Sequence, residues 1–426
     1  MSPPPSAPVP EARGANEPVP EPAPGGPRVR LLAGLPLSIW ALGAVSLLMD
    51  VSTEMIESLM PLFLVSVLGL GAVSVGLVSG LAEATASLAR IGSGWLSDVI
   101  GRRKTLALIG YGIAMCAKPF FAPASGLAWV MATRFVDRIG KGIRVAPRDA
   151  LLADLAPREK RGVAFGLRKA LDSLGATLGP LIAFVLMAAF DGDIRLVYWL
   201  AVIPAVLCVV LLAVAVKEPP RHAKPAPEER PRLLKLGALG PGFGGFILLI
   251  GVMHLAIFSE AFMLLRGVEI GIAPALVPML LVVMNLVYAA VAYLTGWLSD
   301  RREAKGRGRM PLLFAGFAPL IAAYLALAVS GEAWQVYLAA VLWGAHLGMT
   351  QGLMPAIVAD LAPRGRRGTA FGAYHLVAGL AALPAGAIAG VLWQLQGHQA
   401  TFLFGASLTA LALSALALWH FRYRWS

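Results

Sequence analysis

Three acids, Asp50, Glu54 and Glu57, fall inside one uninterrupted apolar run. On a helix they lie within about 60° of one another, which is one narrow face. Lipid cannot solvate that face, so it must look into the interior of a helix bundle or a watery cavity. Burial disfavours the charged form of a carboxylate, which suits these groups to loading and unloading protons. The rival reading is that each acid is tied to a base on a neighbouring helix. Such bases exist: Arg134, Arg138 and Lys141 share one face of another run, with Asp137 about 60° to the side. Arginine keeps its charge in essentially any surroundings, so Arg138 suits a permanent charge that sets the protonation of nearby acids. A buried lysine can lose its proton, and Lys141 could instead hold an anionic group of a substrate. Arg168, Lys169 and Asp172 on a further run either join this network or, for Arg168 with Asp172, form a simple i,i+4 pair. One acid stands well inside an apolar run of the second half, Glu260, and no base is buried near it in sequence. Either it faces a cavity, or its run ends beside it and it meets water.

Other chemistries find no support. The six histidines, at 222, 254, 346, 375, 398 and 420, lack the spacing of a zinc helix. His346 and His375 either face a cavity or are packed and neutral. Cys116 and Cys208 both sit in apolar runs, which excludes a disulfide framework. There is no Gly-Lys-Ser/Thr phosphate loop and no Gly-x-Ser-x-Gly elbow, so neither an enzyme nor a bound cofactor or metal is expected, and ATP-driven work would need a partner chain.

The elements that must position these residues are membrane helices. Of 426 residues, 58% are hydrophobic and 14% charged, far from the balance of a soluble enzyme. Runs long enough to cross a bilayer fall at 37–66, 72–95, 104–123, 126–147, 163–189, 195–216, 240–264, 273–297, 311–330, 334–357, 368–393 and 399–420. The expected fold is therefore an all-α polytopic membrane protein with twelve transmembrane helices. Residues 1–36 read as a disordered, Pro-rich tail, with no apolar signal-peptide core. Residues 217–239 form a polar linker between a bundle at 37–216 and a second at 240–420, and 421–426 are a short tail. The net charge of +12 gathers in short loops, which argues against nucleic acid as a partner. The loops on the side of both termini and the linker hold 26 of the 36 lysines and arginines, whereas the opposite side has Arg195 and Arg266. By the positive-inside bias both termini face the cytoplasm of a bacterial-type inner (plasma) membrane.

The halves repeat each other. Gly94-Trp-Leu-Ser-Asp98 recurs as Gly296-Trp-Leu-Ser-Asp300, and Ala153-Asp-Leu-Ala-Pro-Arg158 recurs as Ala359-Asp-Leu-Ala-Pro-Arg364. The second offset also maps Thr53-Glu54 onto Ser259-Glu260. Two pseudo-symmetric six-helix bundles follow, with a substrate site between them and access that alternates as one rocks against the other. In that arrangement Glu54 and Glu260 flank the cavity.

With these motifs, residues 37 to 420 resemble the major facilitator superfamily. Gly94 to Lys104 is similar to the loop motif between its second and third spans, although Val99 stands where a basic residue is usual. Arg138-Ile-Gly140-Lys141-Gly142 is similar to the buried-arginine motif, and Gly166, Gly175, Gly179 and Pro180 match the glycine spacing of the antiporter motif, with Ala183 in place of its last glycine. The resemblance implies a drug:proton antiporter. On that reading the protein exports small molecules in exchange for protons, as a monomer. Glu54 and Glu260 are its preferred coupling sites and Asp50 and Glu57 auxiliary ones. A cytoplasmic gate is expected from Asp98, Arg102 and Arg103 together with Asp300, the repeat counterpart of Asp98, and Arg301, locking one bundle to the other. The glycines of span five are expected to pack on the other bundle and seal the cavity. The competing reading is an importer or exchanger of an anionic metabolite, with Arg134, Arg138, Lys141 and Arg168 as its clamp. A membrane-embedded enzyme or receptor is a distant third.

Overall fold

The computed structural model describes residues 30–31, 35–100, 102–157, 160–216, 241–305, 308–362 and 367–423. Among these, the side chains of 30–31, 94–100, 241–242, 300, 304, 359, 367–369 and 423 are not described. The linker expected at 217–239 and most of the N-terminal tail thus lie outside the described residues. Nearly everything else is helix, as it must be where lipid offers the backbone no hydrogen-bond partner.

Span one is Leu37–Glu57, continued by Met60–Leu62 and a π-helical turn at Phe63–Val67. Pro61 lies in the interruption and explains it. Spans two to five are Ala72–Ile100, Arg103–Ala117, Leu127–Leu155 and Arg161–Ala189. Span six is Ile194–Leu200 and Val202–Ala215, span seven Pro241–Ala256 and Ala261–Glu269, and span eight Met279–Ala304. Span nine is Met310–Ala328, and span ten Ala333–Thr350 with Leu353–Leu361. Spans eleven and twelve form one run, Arg367–Tyr423, turned at Gly397, whose φ of 84° suits glycine. Each of the twelve runs read from sequence coincides with helix, and eight helices are long and apolar enough to cross a membrane by themselves. Spans eleven and twelve count as one of these eight; span three is short, span four is rich in charge, and span ten is split, with Gln335 and His346 lowering its apolarity.

Two departures from expectation stand out. The tail is not structureless up to residue 36, because Arg30–Leu31 pairs antiparallel with Leu35–Pro36. Leu35 is fully buried in the core of the first half, and that apolar anchor holds the pair. Span seven is not one helix: residues 257–259 are unwound. No proline or glycine causes the break. Instead, Tyr324 of span nine satisfies the freed backbone, accepting from the Phe258 amide at 2.7 Å and donating to the Ala256 carbonyl at 3.0 Å.

Within the first half, span one packs on spans five and six, and span four on spans two and three; within the second, span ten packs on spans eight and nine. The halves meet along two seams, span two with span eleven and span five with span eight. Their interiors differ. The first half buries Lys118, Arg134, Asp137, Arg138, Arg144 and Arg148, whereas the second is packed with aromatics such as Phe258, Tyr324, Trp343 and Phe402. Among the described residues of the second half no lysine, arginine, aspartate or glutamate is buried.

Candidate functional site

Span four organises the ionic interior. Its glycines admit neighbours at backbone contact: a methyl carbon added at Gly140 would stand 2.7 Å from the Gly110 carbonyl oxygen of span three, and one at Gly142 would stand 2.9 Å from the Ala86 carbonyl oxygen of span two. With spans two and three held that close, the charged face of span four turns toward span one. Glu57 receives Arg134 at 3.3 Å and a shorter contact from Arg138. Asp137, which helical geometry put to one side, is paired with Lys118 at 3.1 Å and touches Arg138 Nε at 3.4 Å. Lys118 is fully buried and also donates to Thr53 Oγ1 at 3.1 Å. Spans one, three and four are therefore tied by one network, Thr53–Lys118–Asp137–Arg138–Glu57–Arg134. Burying this many charges is tolerable only because each finds a partner.

The remaining acids of the face are less well matched. Asp50 reaches Arg144 only at 4.0 Å. Glu54 makes no hydrogen bond or ion pair within 4 Å among the described residues, although Lys141, Asp50, Glu260 and Arg138 lie within electrostatic reach. Glu260 likewise pairs with no base within 4 Å among the described residues. It stands at the break of span seven, as the residue that opens the helical segment Ala261–Glu269, where the free amides of a helix N-terminus favour negative charge. Glu54 and Glu260 thus feel each other across the two halves, and neither has an ion pair within 4 Å among the described residues. The repeat is imperfect in detail, since the interruption precedes Glu260 in span seven and follows Glu54 in span one.

Lys141 is half-buried, has no ion pair within 4 Å among the described residues, and lies within electrostatic reach of Arg138, Glu83 and Asp50. Arg168 lies elsewhere, bonded to Asp172 at 2.7 Å and near Asp149 at 3.7 Å. It belongs to a separate group with Arg148, so the four-residue anion clamp is not assembled. Two further expectations are corrected. Gly175 and Gly179 pack on span one of their own half, and not on the other bundle. A methyl carbon at Gly175 would meet the Leu47 carbonyl oxygen at 2.7 Å, and one at Gly179 the Val51 carbonyl oxygen at 2.9 Å, while Gly166 faces open space. Pro180 is buried beside them in the same helix. Arg103, expected in a gate between bundles, is bound within its own half to Asp154 and to the Ala150 carbonyl at 3.1 Å. Arg102 is exposed, and Arg301 stacks on Trp297 at 3.8 Å. The side chains of Asp98 and Asp300 lie outside the described residues.

Sequence reasoning missed Lys118 and Glu83. Lys118 falls at the end of its run beside Pro119 and reads as an interfacial residue. Glu83 is an acid in the middle of span two whose chemistry shows only through its neighbours, with Ser87 donating to it at 3.3 Å and Lys141 facing it.

Comparisons with known proteins agree with this architecture. The family model for the Major Facilitator Superfamily matches residues 40–386 and 242–424. The uncharacterized MFS-type transporter MJ1317 of Methanocaldococcus jannaschii is 31% identical over 387 residues, covering 88% of this chain and 93% of its own. The gentisate transporter of Corynebacterium glutamicum is 27% identical over 371 residues, covering 82% and 80%. Among solved structures, a bacterial homolog of the human lysosomal transporter Spinster, inward-facing and occupied, superposes with a TM-score of 0.72 at 17% identity over 89% of this chain and 96% of that one.

Proposed function

The chain belongs to the major facilitator superfamily and is a membrane transporter, not an enzyme; we propose that it couples proton movement to the export of small molecules, with Glu54 and Glu260 as the coupling carboxylates. One observation carries this reading. Of the acids gathered in the interior, Glu57 and Asp137 are occupied by bases, while Glu54 and Glu260 lie within electrostatic reach of each other from the two halves, with no ion pair within 4 Å among the described residues. A carboxylate without a counter-ion in a poorly solvated place gains most from taking up a proton, and loses it most readily when access to water changes. Asp50, loosely held by Arg144, is the auxiliary site. Alternating access by two bundles, 37–216 and 240–420, moves these acids between the two sides. The loop charges support cytoplasmic termini in an inner membrane. Export rests on the resemblance of the span-five glycines to the antiporter motif.

A second reading keeps the fold and reverses the cargo. Lys141 is a half-buried cation with no ion pair within 4 Å among the described residues, and one relative is a gentisate transporter. On this reading Lys141 holds an anionic group of an imported or exchanged metabolite. Arg134 and Arg138 contribute little, because Glu57 already holds them. Transport into inverted vesicles under an imposed pH gradient separates the two, using lipophilic cations, neutral drugs and organic anions as probes. Glu54→Gln and Glu260→Gln should each abolish gradient-driven movement with folding intact, and wild-type uptake by both variants would remove the proton-coupling assignment. Loss of organic-anion uptake in Lys141→Gln would favour the second reading.

A further inference from the structure

Spans two and eleven run antiparallel along their seam and touch through small residues. Gly76 lies against Gly386, Gly80 against Ala382 and Leu383, Ser87 against Gly379, and Gly390 against Val73. The contacts on each helix fall three, four or seven residues apart, which keeps them on one stripe against the partner. The next members of both stripes, toward the end of the molecule that carries the termini, are Arg90 and His375. They touch: Arg90 Nη1 is 3.3 Å from His375 Nδ1. The backbone-tight part of the seam therefore ends in an ionisable pair, one member from each half.

A guanidinium can only donate hydrogen bonds. Nδ1 of His375 must then accept, and the ring in this contact is neutral, with its proton on Nε2. Arg90 has no carboxylate within 4 Å among the described residues, and its buried Nε has no hydrogen-bond partner. The lone pair of His375 is thus what answers the Arg90 side chain across the seam. We propose that Arg90 and His375 form a proton-binding site that times the separation of the two halves: a proton on Nδ1 removes the acceptor and places a second cation beside the guanidinium. Proton uptake at His375 and a closed seam are mutually exclusive.

The other groups facing the ring fit this role. Glu83 of span two lies two turns from Arg90 on the same face, about 10 Å along the helix. It is exposed and within electrostatic reach of His375, so it gives the imidazolium a counter-charge once the seam has opened. From span seven comes His254, whose ring is 5.8 Å from that of Tyr374; the Tyr374 ring is 5.1 Å from that of His375. His254 donates from Nδ1 to its own Ile250 carbonyl, 2.9 Å away, so that nitrogen does not compete for Arg90. The site needs neither Glu54 nor Glu260 to be a coupling group.

The test measures the seam itself. Spin labels at the exposed positions Leu88 of span two and Leu380 of span eleven report its width in nanodiscs at about pH 8 and about pH 4, a range wide enough to protonate an imidazole held beside a guanidinium. The parent should shift to longer distances on acidification. His375→Gln keeps an acceptor oxygen and cannot be protonated, so it should stay narrow at both values. Arg90→Gln removes the repelling cation and should likewise lose the shift, which guards against a folding defect in either variant alone. The double variant Glu54→Gln with Glu260→Gln should keep the shift. A parent that does not respond to pH, or a His375→Gln protein that responds as the parent does, overturns the proposal. Loss of the shift in the double variant with retention in His375→Gln would assign the response to the two carboxylates, sinking this site while leaving the coupling reading intact.

Discussion

Four acids near one another are not equivalent, and what distinguishes them is the base each one holds. Glu57 is the ion-pair partner of Arg134 within 4 Å among the described residues, and both are largely shielded from water. Removing its charge leaves Arg134 buried and uncompensated, so Glu57→Gln should lower stability by about 3–5 kcal/mol, the usual penalty for breaking a buried pair from one side. Glu54→Gln removes no such partner and should stay within about 1 kcal/mol of the parent, while losing proton coupling. Thermal unfolding in detergent, read beside gradient-driven transport, distinguishes the two, and equal destabilisation would mean that Glu54 is also structural. Arg138→Lys should be worse than its chemistry suggests, because one ammonium cannot span Glu57 and Asp137 as the guanidinium does. Much of this was legible in the helical spacing of Asp50, Glu54, Glu57, Arg134, Arg138 and Lys141, which placed the charged faces. Which acid meets which base was not, because pairing depends on helix rotation and on Lys118, a residue of a third helix.

Helices behave differently where their continuity depends on a neighbour. Hydropathy located the spans, since apolar length and charge suffice for that, but the break in span seven left no local trace in Ile257-Phe258-Ser259-Glu260. What satisfies the backbone freed there is the phenol of Tyr324, 66 residues away in sequence. Tyr324→Phe keeps the ring packing against Phe258, Trp343 and Phe402 and deletes only the hydroxyl. Two buried backbone groups then lose their partner, at about 1–3 kcal/mol for each unsatisfied group. Span seven should become less stable or re-form a helix, and Glu260 should move. The expected outcome is a lower melting temperature together with a displaced pH profile of transport; a lower melting temperature with an unchanged profile would make Tyr324 a packing residue alone. The glycines of span five teach a related lesson. Their spacing predicted a close helix contact, and the contact exists, but the partner is span one at the level of Asp50 and Glu54. Gly179→Ala would push a methyl group against the Val51 carbonyl oxygen and should cost about 1–3 kcal/mol. Its functional effect should resemble a Glu54 defect, seen as impaired coupling without added proton leak in vesicles.

At the scale of the whole molecule, the internal repeat announced two bundles, yet the halves have diverged in what they bury. The first holds an ionic network that fixes three of its helices, and the second an aromatic core that frames one broken helix. A repeat in sequence conserves topology more strictly than interior chemistry, which is why the offset from Glu54 found Glu260 but no counterpart to Lys118 or Arg138. Rigid halves must then change their relation at the seams, and the span two–eleven seam shows how tightly. A carbon added to Gly76 would run into the Gly386 carbonyl, and one added to Gly386 into the carbonyl of Gly76, with backbone on both sides and nothing flexible to yield. Gly76→Leu should therefore hold the halves apart at the end away from the termini while each half keeps its own core, because the new side chain points at the seam. The protein should be trapped open on that side, with transport reduced about tenfold or more, equivalent to about 1.4 kcal/mol of bias between states. A cysteine at Ser259, beside the break in span seven, introduced with Cys116 and Cys208 replaced, reports the state through its reaction with an impermeant thiol reagent. Labelling from that side should rise in the Gly76→Leu protein and labelling from the terminal side should fall. Unchanged labelling from both sides, with transport intact, would mean that this seam does not open during the cycle.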